Sequence, residues 1–261
     1  MREALAAAGR WVLDLLAFFG ATGQLHAEAT GYIARGVVEY RQVVLQMARI
    51  GANSVPIVVV TMLATGAVIA LHLVPQAERI QGLSLLGWIQ AEMMVRELGP
   101  AMASVVVAAR IGSAMAAEIG TMKVTEQVDA LRALAISPVA FLVVPRLLAA
   151  ILMLPALALV ADFAGVLGGL AYCGYAGKVA PTAFVASVQQ RLPLYVIPLG
   201  LAKAAVFGVI IAIVCCHEGL ACGMASEEVG RATTRAVVRS LLLIYVVDVF
   251  LSAALFEPAH L

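Results

Sequence analysis

Apolar sequence in runs too long for anything but a membrane-spanning helix restricts this chain more than any other feature. From Val139 the sequence barely leaves the apolar residues until Tyr175, and further runs cover roughly Ser54 to Leu73, Leu85 to Val107, Leu194 to Cys216 and Leu241 to Phe256. A hydrocarbon core about 30 Å thick offers no partner to a backbone N–H or C=O, so a run of about 20 apolar residues crosses it as a helix. Composition agrees: 63% of residues are hydrophobic and 13% charged, where soluble domains sit near half and a quarter. The expected fold class is an all-α integral membrane protein, with residues 1–49 as an interfacial region and 50–261 as a five-span unit in one domain. A net charge of +1 without a basic tract gives no reason to expect nucleic acid.

Residues 1–49 do not read as a span. The start has charge ahead of an apolar run like a signal peptide, but Asp14 interrupts that run and no small-residue cleavage site comes after it, so it is expected to be retained. A short apolar patch from Trp11 to Phe19 ends at Gly20, and Val37, Val38, Val44 and Met47 share their segment with Arg35, Glu39, Arg41 and Arg49. That mixture suits helices lying in the interface with arginines toward headgroups. After the first span, His72 to Gln81 is expected as a loop. The second span continues through small residues to Ala117. The third run holds Pro145, Pro155, Asp162 and a Gly165–Gly169 pair; it is either one long tilted helix or a helix with a partial re-entrant segment.

An odd number of spans puts the termini on opposite sides, and the basic residues choose the orientation. One side collects Arg2, Arg10, Arg35, Arg41, Arg49, Arg110, Lys123, Arg132, Arg231, Arg235 and Arg239, the other only Arg79, Lys178 and Arg191. The positive-inside rule makes the first side, with the N-terminus, cytoplasmic and the C-terminus external.

Inside the spans four ionisable groups stand out: Arg96 and Glu97 in the second, Lys203 in the fourth and Asp248 in the fifth, all expected near mid-bilayer. Each charge costs about 2.5–3.5 kcal/mol on insertion scales, so it persists by pairing or by facing water. Lys203 and Asp248 lie at depths that let them meet; Arg96 and Glu97 offer opposite signs. They either line a polar cavity or fix helix register as ion pairs. The four cysteines imply no disulfide framework, since Cys173 lies toward the opposite face from Cys215, Cys216 and Cys222. Cys215-Cys216-His217-Glu218 matches no zinc spacing, so no metal is assigned. No phosphate-binding loop, nucleophile elbow or HExxH helix is present, so the chain hydrolyses no ATP itself.

Between the second and third runs lies a charged island, Glu118 to Pro138. Thr125 is placed to cap a short helix, with Glu126 and Asp129 in its first turn and Arg132 nearer its end. Val124, Val128, Leu131 and Ala135 recur at helical spacing, and Ser137-Pro138 stops it. Such a helix is either an ordinary solvated loop helix or one that takes a push from a soluble partner.

The run Arg96-Glu97-Leu98-Gly99-Pro100, then Ala109-Arg110-Ile111-Gly112-Ser113, then Ala116 through Gln127 with Asp129-Ala130-Leu131-Arg132, resembles the MlaE/YrbE permease family. Pro145-Arg146 and Val229 through Thr234 with Ala236-Val237-Val238 fit the same pattern. The resemblance covers most of the chain from about Gly51. It implies the membrane subunit of an MCE-associated phospholipid ABC transporter in the bacterial inner membrane, a homodimer of five-span chains with an exporter-like fold. It makes the island the coupling helix on a cytoplasmic ATPase, through Lys123, Thr125, Glu126, Gln127, Asp129 and Arg132. A STAS-domain protein on the ATPase and a periplasmic MCE-domain hexamer complete the expected assembly. ATP and Mg would sit on the ATPase, and phospholipid, the substrate, in a cavity beside Arg96, Glu97, Lys203 and Asp248. Arg231, Arg235 and Arg239, at i,i+4 spacing, would face cytoplasmic headgroups or the ATPase. The competing readings are a non-transporting scaffold and a thiol or metal enzyme built on Cys215-Cys216-His217-Glu218.

Overall fold

The computed structural model describes residues 2–176 and 179–256, so Lys178 lies outside the described residues. Those residues form helices and turns and no strand: α1 (Arg2–Ala34), α2 (Tyr40–Ile50), α3 (Val55–Arg79), α4 (Leu83–Val124), α5 (Gln127–Ala133), α6 (Val139–Ala176), α7 (Pro181–Arg191), α8 (Val196–Leu220) and α9 (Ser226–Phe256). Five stretches are long and apolar enough to cross a membrane: α2 with α3, α4, α6, α8 and α9. This is the expected all-α membrane fold.

Helix α1 continues through Gly20, where the sequence suggested a stop. One interior glycine costs only about 1 kcal/mol against alanine, and a buried stripe of Phe18, Thr22, Leu25 and Ala29 crosses that point. The stripe packs on α8 and the start of α6, while Leu13, Leu16 and Phe19 stay exposed on the other side. Gly36, with φ +72°, turns the chain into α2.

Helix α3 also outruns its expected end: His72 to Gln81 is not a loop, because the helix passes through Pro75 to Arg79. Its stripe of Val58, Met62, Gly66, Ala70, Val74 and Ala77 stays buried to the last turn, and that burial outweighs the backbone bond Pro75 removes. The stripe lies on α6 at near-backbone contact. A Cβ on Gly66 would collide with the Gly165 carbonyl, and one on Gly168 with the Leu63 carbonyl. Gly169 instead faces the Gln90 amide of α4. Gln90 is fully buried and donates from Nε2 to the Gly66 and Gly165 carbonyls at 3.1 and 3.2 Å, tying three helices at one point. Gly66→Val must push α3 off α6 and is expected to cost at least 1–3 kcal/mol, read as a lower thermal midpoint of the purified protein; an unchanged midpoint would refute this packing.

The long third run is a single helix of 38 residues, Val139–Ala176. The re-entrant alternative is therefore corrected, and the short α7 beyond it is a separate helix. At 1.5 Å per residue α6 is roughly 57 Å long and α4, with 42 residues, roughly 63 Å, twice the hydrocarbon thickness. Helices α6 and α8 form the centre: α6 lies between α3 and α8, and α9 packs on α8 and α4. Gly208 of α8 sits on the Ala150 carbonyl of α6.

Two single π-turns interrupt α4, at Met94–Leu98 and Ala108–Gly112. The first holds Arg96 and Glu97 and runs into Gly99-Pro100. Such turns add a residue to the helical register and rotate the helix beyond them.

Candidate functional site

Pro100 has no N–H to give to the carbonyl four residues earlier, that of Arg96. The Lys203 ammonium of α8, 3.2 Å away, takes that carbonyl instead. Lys203 is wholly buried, and its other two protons go to Glu97 Oε2 at 2.6 Å and Ser252 Oγ at 2.7 Å. Asp248 Oδ1 stands 2.6 Å from the same nitrogen, a fourth oxygen around three protons, held by charge. The Ser252 hydroxyl in turn donates to the Asp248 carbonyl. Lys203 and Asp248 therefore meet as expected, and Glu97 joins them.

Arg96 does not pair with Glu97. Neighbours on a helix do not face each other, and Arg96 turns to Glu92 at 2.8 Å and to the Phe256 carbonyl at 2.9 Å, with its guanidinium 4.6 Å from the Phe256 ring centre. The Glu97 side chain is 42% exposed and that of Arg96 32%. Both border a pocket of about 350 Å³ with Ile89, Glu92 and Met93. The hub sits nearer the middle of α8 and α9 than the ends of those helices, displaced toward the start of α8. Lys203 lies beyond the start of α8, and Asp248 precedes the end of α9, by roughly 10–12 Å at 1.5 Å per residue.

At the other end α4 gives way to α5. Thr125 does not cap α5: its hydroxyl donates back to the Thr121 carbonyl at 2.8 Å, closing α4. Glu126, with φ +59°, makes the left-handed reversal and stands at the N-cap without a side-chain capping bond. Ala135 repeats that conformation after the helix, so α5 has only 7 residues, Gln127–Ala133. Val128 alone is buried beneath it. Asp129 and Arg132 pair at 2.9 Å in the open, and Leu134 and Ile136 are exposed beside them. Gln127 donates to the Thr125 hydroxyl at 3.1 Å. Lys123 points inward and donates to the Leu220 carbonyl at the end of α8 at 2.7 Å, where a helix terminus carries negative charge.

The chain segment carrying both sites, residues 43–254, matches the family model described as Permease MlaE. The chain belongs to the MlaE permease family. A probable ABC transporter permease protein of Rickettsia typhi is 42% identical over 212 residues, 81% of this chain and 82% of that protein. A probable ABC transporter permease protein of Synechocystis is 39% identical over 247 residues, 95% and 92% of the two chains. The chloroplastic protein TRIGALACTOSYLDIACYLGLYCEROL 1 of Arabidopsis thaliana is 33% identical over 227 residues, 87% of this chain and 65% of that one. This MlaE-family permease is thus a multi-pass membrane protein, and α1 lies outside the matched segment.

Several functional-site neighbours in the permease are not evident from its sequence. Glu118 of α4 accepts from Arg49 of α2 at 3.0 Å and from Arg146 of α6 at 2.8 Å, joining three helices near α5. Arg110 reaches the Asn53 carbonyl and lies 3.4 Å from the Ser54 hydroxyl. Glu218 is almost fully buried and is held by Arg235 at 3.1 Å and by Arg239. Arg239 also lies over the Phe18 ring at 4.6 Å, bringing α1 against α9. Of the three expected contact arginines only Arg231 is bound solely within its own helix, to Glu227 and Glu228. Glu92 was legible at i−4 from Arg96; Glu118 and Arg146 each stand inside family motifs but far apart in sequence. In the Cys215-Cys216-His217-Glu218 stretch, Cys215 lies 3.5 Å from the Ser240 hydroxyl while Glu218 is turned to the arginines.

Proposed function

We propose that the chain is the membrane subunit of an ABC transporter that moves glycerophospholipid between the inner membrane and a periplasmic MCE-domain protein, maintaining outer-membrane lipid asymmetry. The observation that carries this reading is the Lys203 hub: a buried ammonium held by two carboxylates, with Glu97 and Arg96 half open to a pocket on the α4 face. A zwitterionic headgroup needs charges of both signs at the edge of an apolar space, and acyl tails need the apolar walls beside it. Two relatives bear the name ABC transporter permease, and the Arabidopsis relative is named for a galactolipid; both names favour a lipid carried with an ATPase partner.

Two copies would enclose the lipid between them, with the Arg96, Glu97, Lys203 and Asp248 constellations of both lining the cavity. An ATPase binding ATP and Mg, itself carrying a STAS-domain protein, would seat on α5 through Thr125, Glu126, Gln127, Asp129 and Arg132, with Leu134 and Ile136 adding exposed apolar contact. Lys123 would set the angle at which α4 hands the motion on, since its ammonium is bound to α8. Arg49, Arg110, Lys123, Arg132, Arg231, Arg235 and Arg239 gather at the α5 end of the bundle; by the positive-inside rule that end and the N-terminus are cytoplasmic and the C-terminus periplasmic. Of Arg231, Arg235 and Arg239, Arg231 is the most open to headgroups or the ATPase.

Asp129→Lys reverses the charge of an exposed residue that supports nothing in the core. It is expected to leave the fold intact and lower ATP-driven lipid movement at least tenfold, measured on the reconstituted complex; unchanged movement refutes the docking role. Gentle purification from native membranes with mass spectrometry of bound proteins and lipids tests the whole reading. A co-purifying ATPase, MCE-domain protein and phospholipid support it; a lone dimer without them returns the chain to the scaffold reading.

A further inference from the structure

Asp14 breaks the first apolar patch of the chain, and it stands exposed on α1 with no ion partner among the described residues. Asp162 of α6 also lacks one, but its Oδ1 is buried against Gly99. Asp14 instead opens on a cleft of about 330 Å³ between α1 and α9, which it lines together with Arg239, Leu15, Phe19, Leu242 and Leu243. Both charged side chains are reachable there: Asp14 is exposed, and the Arg239 side chain is 41% exposed. Only part of the Arg239 guanidinium is engaged by the protein. Its Nη1 binds the Glu218 carboxylate, and its face lies over the Phe18 ring. A guanidinium carries five N–H donors, so most are left for a ligand.

An adjoining cleft of about 230 Å³ shares Phe19 and Leu243 with the first and continues between α1 and α8 along Gly23, Val209, Ile210 and Ile213. The space is thus polar at one end and apolar along the rest. Arg239 is the last charged residue before the apolar run from Leu241, which sets the charged mouth at headgroup level and the apolar part at acyl depth. The Lys203 hub is elsewhere: Asp248 lies roughly 14 Å further along α9 at 1.5 Å per residue. Helix α1, which forms one wall, lies outside the segment that matches the family.

Charge selects the occupant. In a head with one anion and one ammonium, the phosphate accepts from the free Arg239 donors and the ammonium donates to Asp14. A head with phosphate alone leaves Asp14 facing an anion, and a quaternary ammonium has no N–H to give it. We propose that the cleft between α1 and α9 binds a bilayer phospholipid whose head carries a primary ammonium, of the phosphatidylethanolamine class, with Arg239 on the phosphate and Asp14 on the ammonium. Such a lipid bridges α1 to α9 beside the contact of Phe18 with Arg239 and fastens α1 to the bundle.

The test is photolabelling of the purified full-length protein in phosphatidylcholine nanodiscs with phosphatidylethanolamine carrying a diazirine on one acyl chain. Phosphatidylglycerol and phosphatidylcholine with the same labelled chain serve as the anionic and quaternary controls. The phosphatidylethanolamine probe is expected on peptides spanning residues 12–26 and 239–246, displaced by unlabelled phosphatidylethanolamine and at least fivefold above either control. Its label there should fall about tenfold in Asp14→Asn, and equally in Leu242→Trp, which fills the cleft from an exposed position on α9 and leaves both charges in place. Asp14→Lys puts two cations at the mouth and should invert the preference, so that phosphatidylglycerol labels more than phosphatidylethanolamine. Equal labelling by the three probes, a preference for the amine head that survives Asp14→Lys, or labelling unchanged in Leu242→Trp overturns the assignment. Arg239 stays unchanged throughout, because Glu218 depends on it. Peptides around Lys203 report the hub separately and no result needs an ATPase, so failure here is distinguishable from failure of the transport reading.

Discussion

Lys203→Ala is expected to be the most damaging single substitution in the bundle. It leaves Asp248 and Glu97 facing each other, and the Arg96 carbonyl loses the donor that replaced the missing Pro100 N–H. Removing one partner of a buried ion pair costs about 3–5 kcal/mol, because the remaining charge stays buried. Asp248→Ala should cost less, since Lys203 keeps Glu97, and Glu97→Ala least, since that carboxylate is half open to solvent. The double variant Lys203→Ala/Asp248→Ala should be milder than the sum of its singles by about 0.5–3 kcal/mol. Thermal midpoints of the four purified proteins measure this directly. Additive single effects would mean that the hub is not one unit.

Glu118→Gln ranks second, and its loss should come almost wholly through one of its two partners. Arg146 has a side chain only 7% exposed and would be left buried without an anion, whereas Arg49 at 57% returns to solvent. Exposed pairs contribute about 0–1 kcal/mol and buried ones several. Glu118→Gln is therefore expected to cost about 2–3 kcal/mol, a reduced figure because the carboxylate is itself partly exposed, and Arg49→Gln under about 1. Pairing Glu118→Gln with Arg146→Met should recover most of the loss. If Arg49→Gln proved as costly as Glu118→Gln, the division of labour between the two arginines would be wrong.

Much of this fold is legible in the sequence because the bilayer leaves a long apolar run few alternatives. The spans and the meeting of Lys203 with Asp248 come from runs and depths. Helix ends are less legible. Gly20 and Pro75 are breakers by local rule, yet the buried stripes of α1 and α3 run past both, and packing outweighs a penalty of a few kcal/mol. Thr125 has the chemistry of an N-cap, but the same hydroxyl can bond four residues back, and only the reversal at Glu126 decides between the two. The π-turn at Met94–Leu98 has no sequence signature beyond its neighbour Pro100, so the separation of Arg96 from Glu97 is out of reach of the sequence. Glu118, Arg146, Glu218 and Asp162 are hidden for a different reason: their surroundings come from helices distant in sequence.

The most direct test of the central claim is ATP-dependent phospholipid movement by the chain reconstituted in proteoliposomes with the ATPase expected to be recovered with it. Fluorescent phospholipid should move only with ATP. Lys203→Ala should abolish movement while ATP is still hydrolysed, because the role proposed for the hub is to meet lipid and not nucleotide. Movement that persists in Lys203→Ala, or none in the wild-type assembly despite active hydrolysis, would contradict a lipid-transporting role for this site.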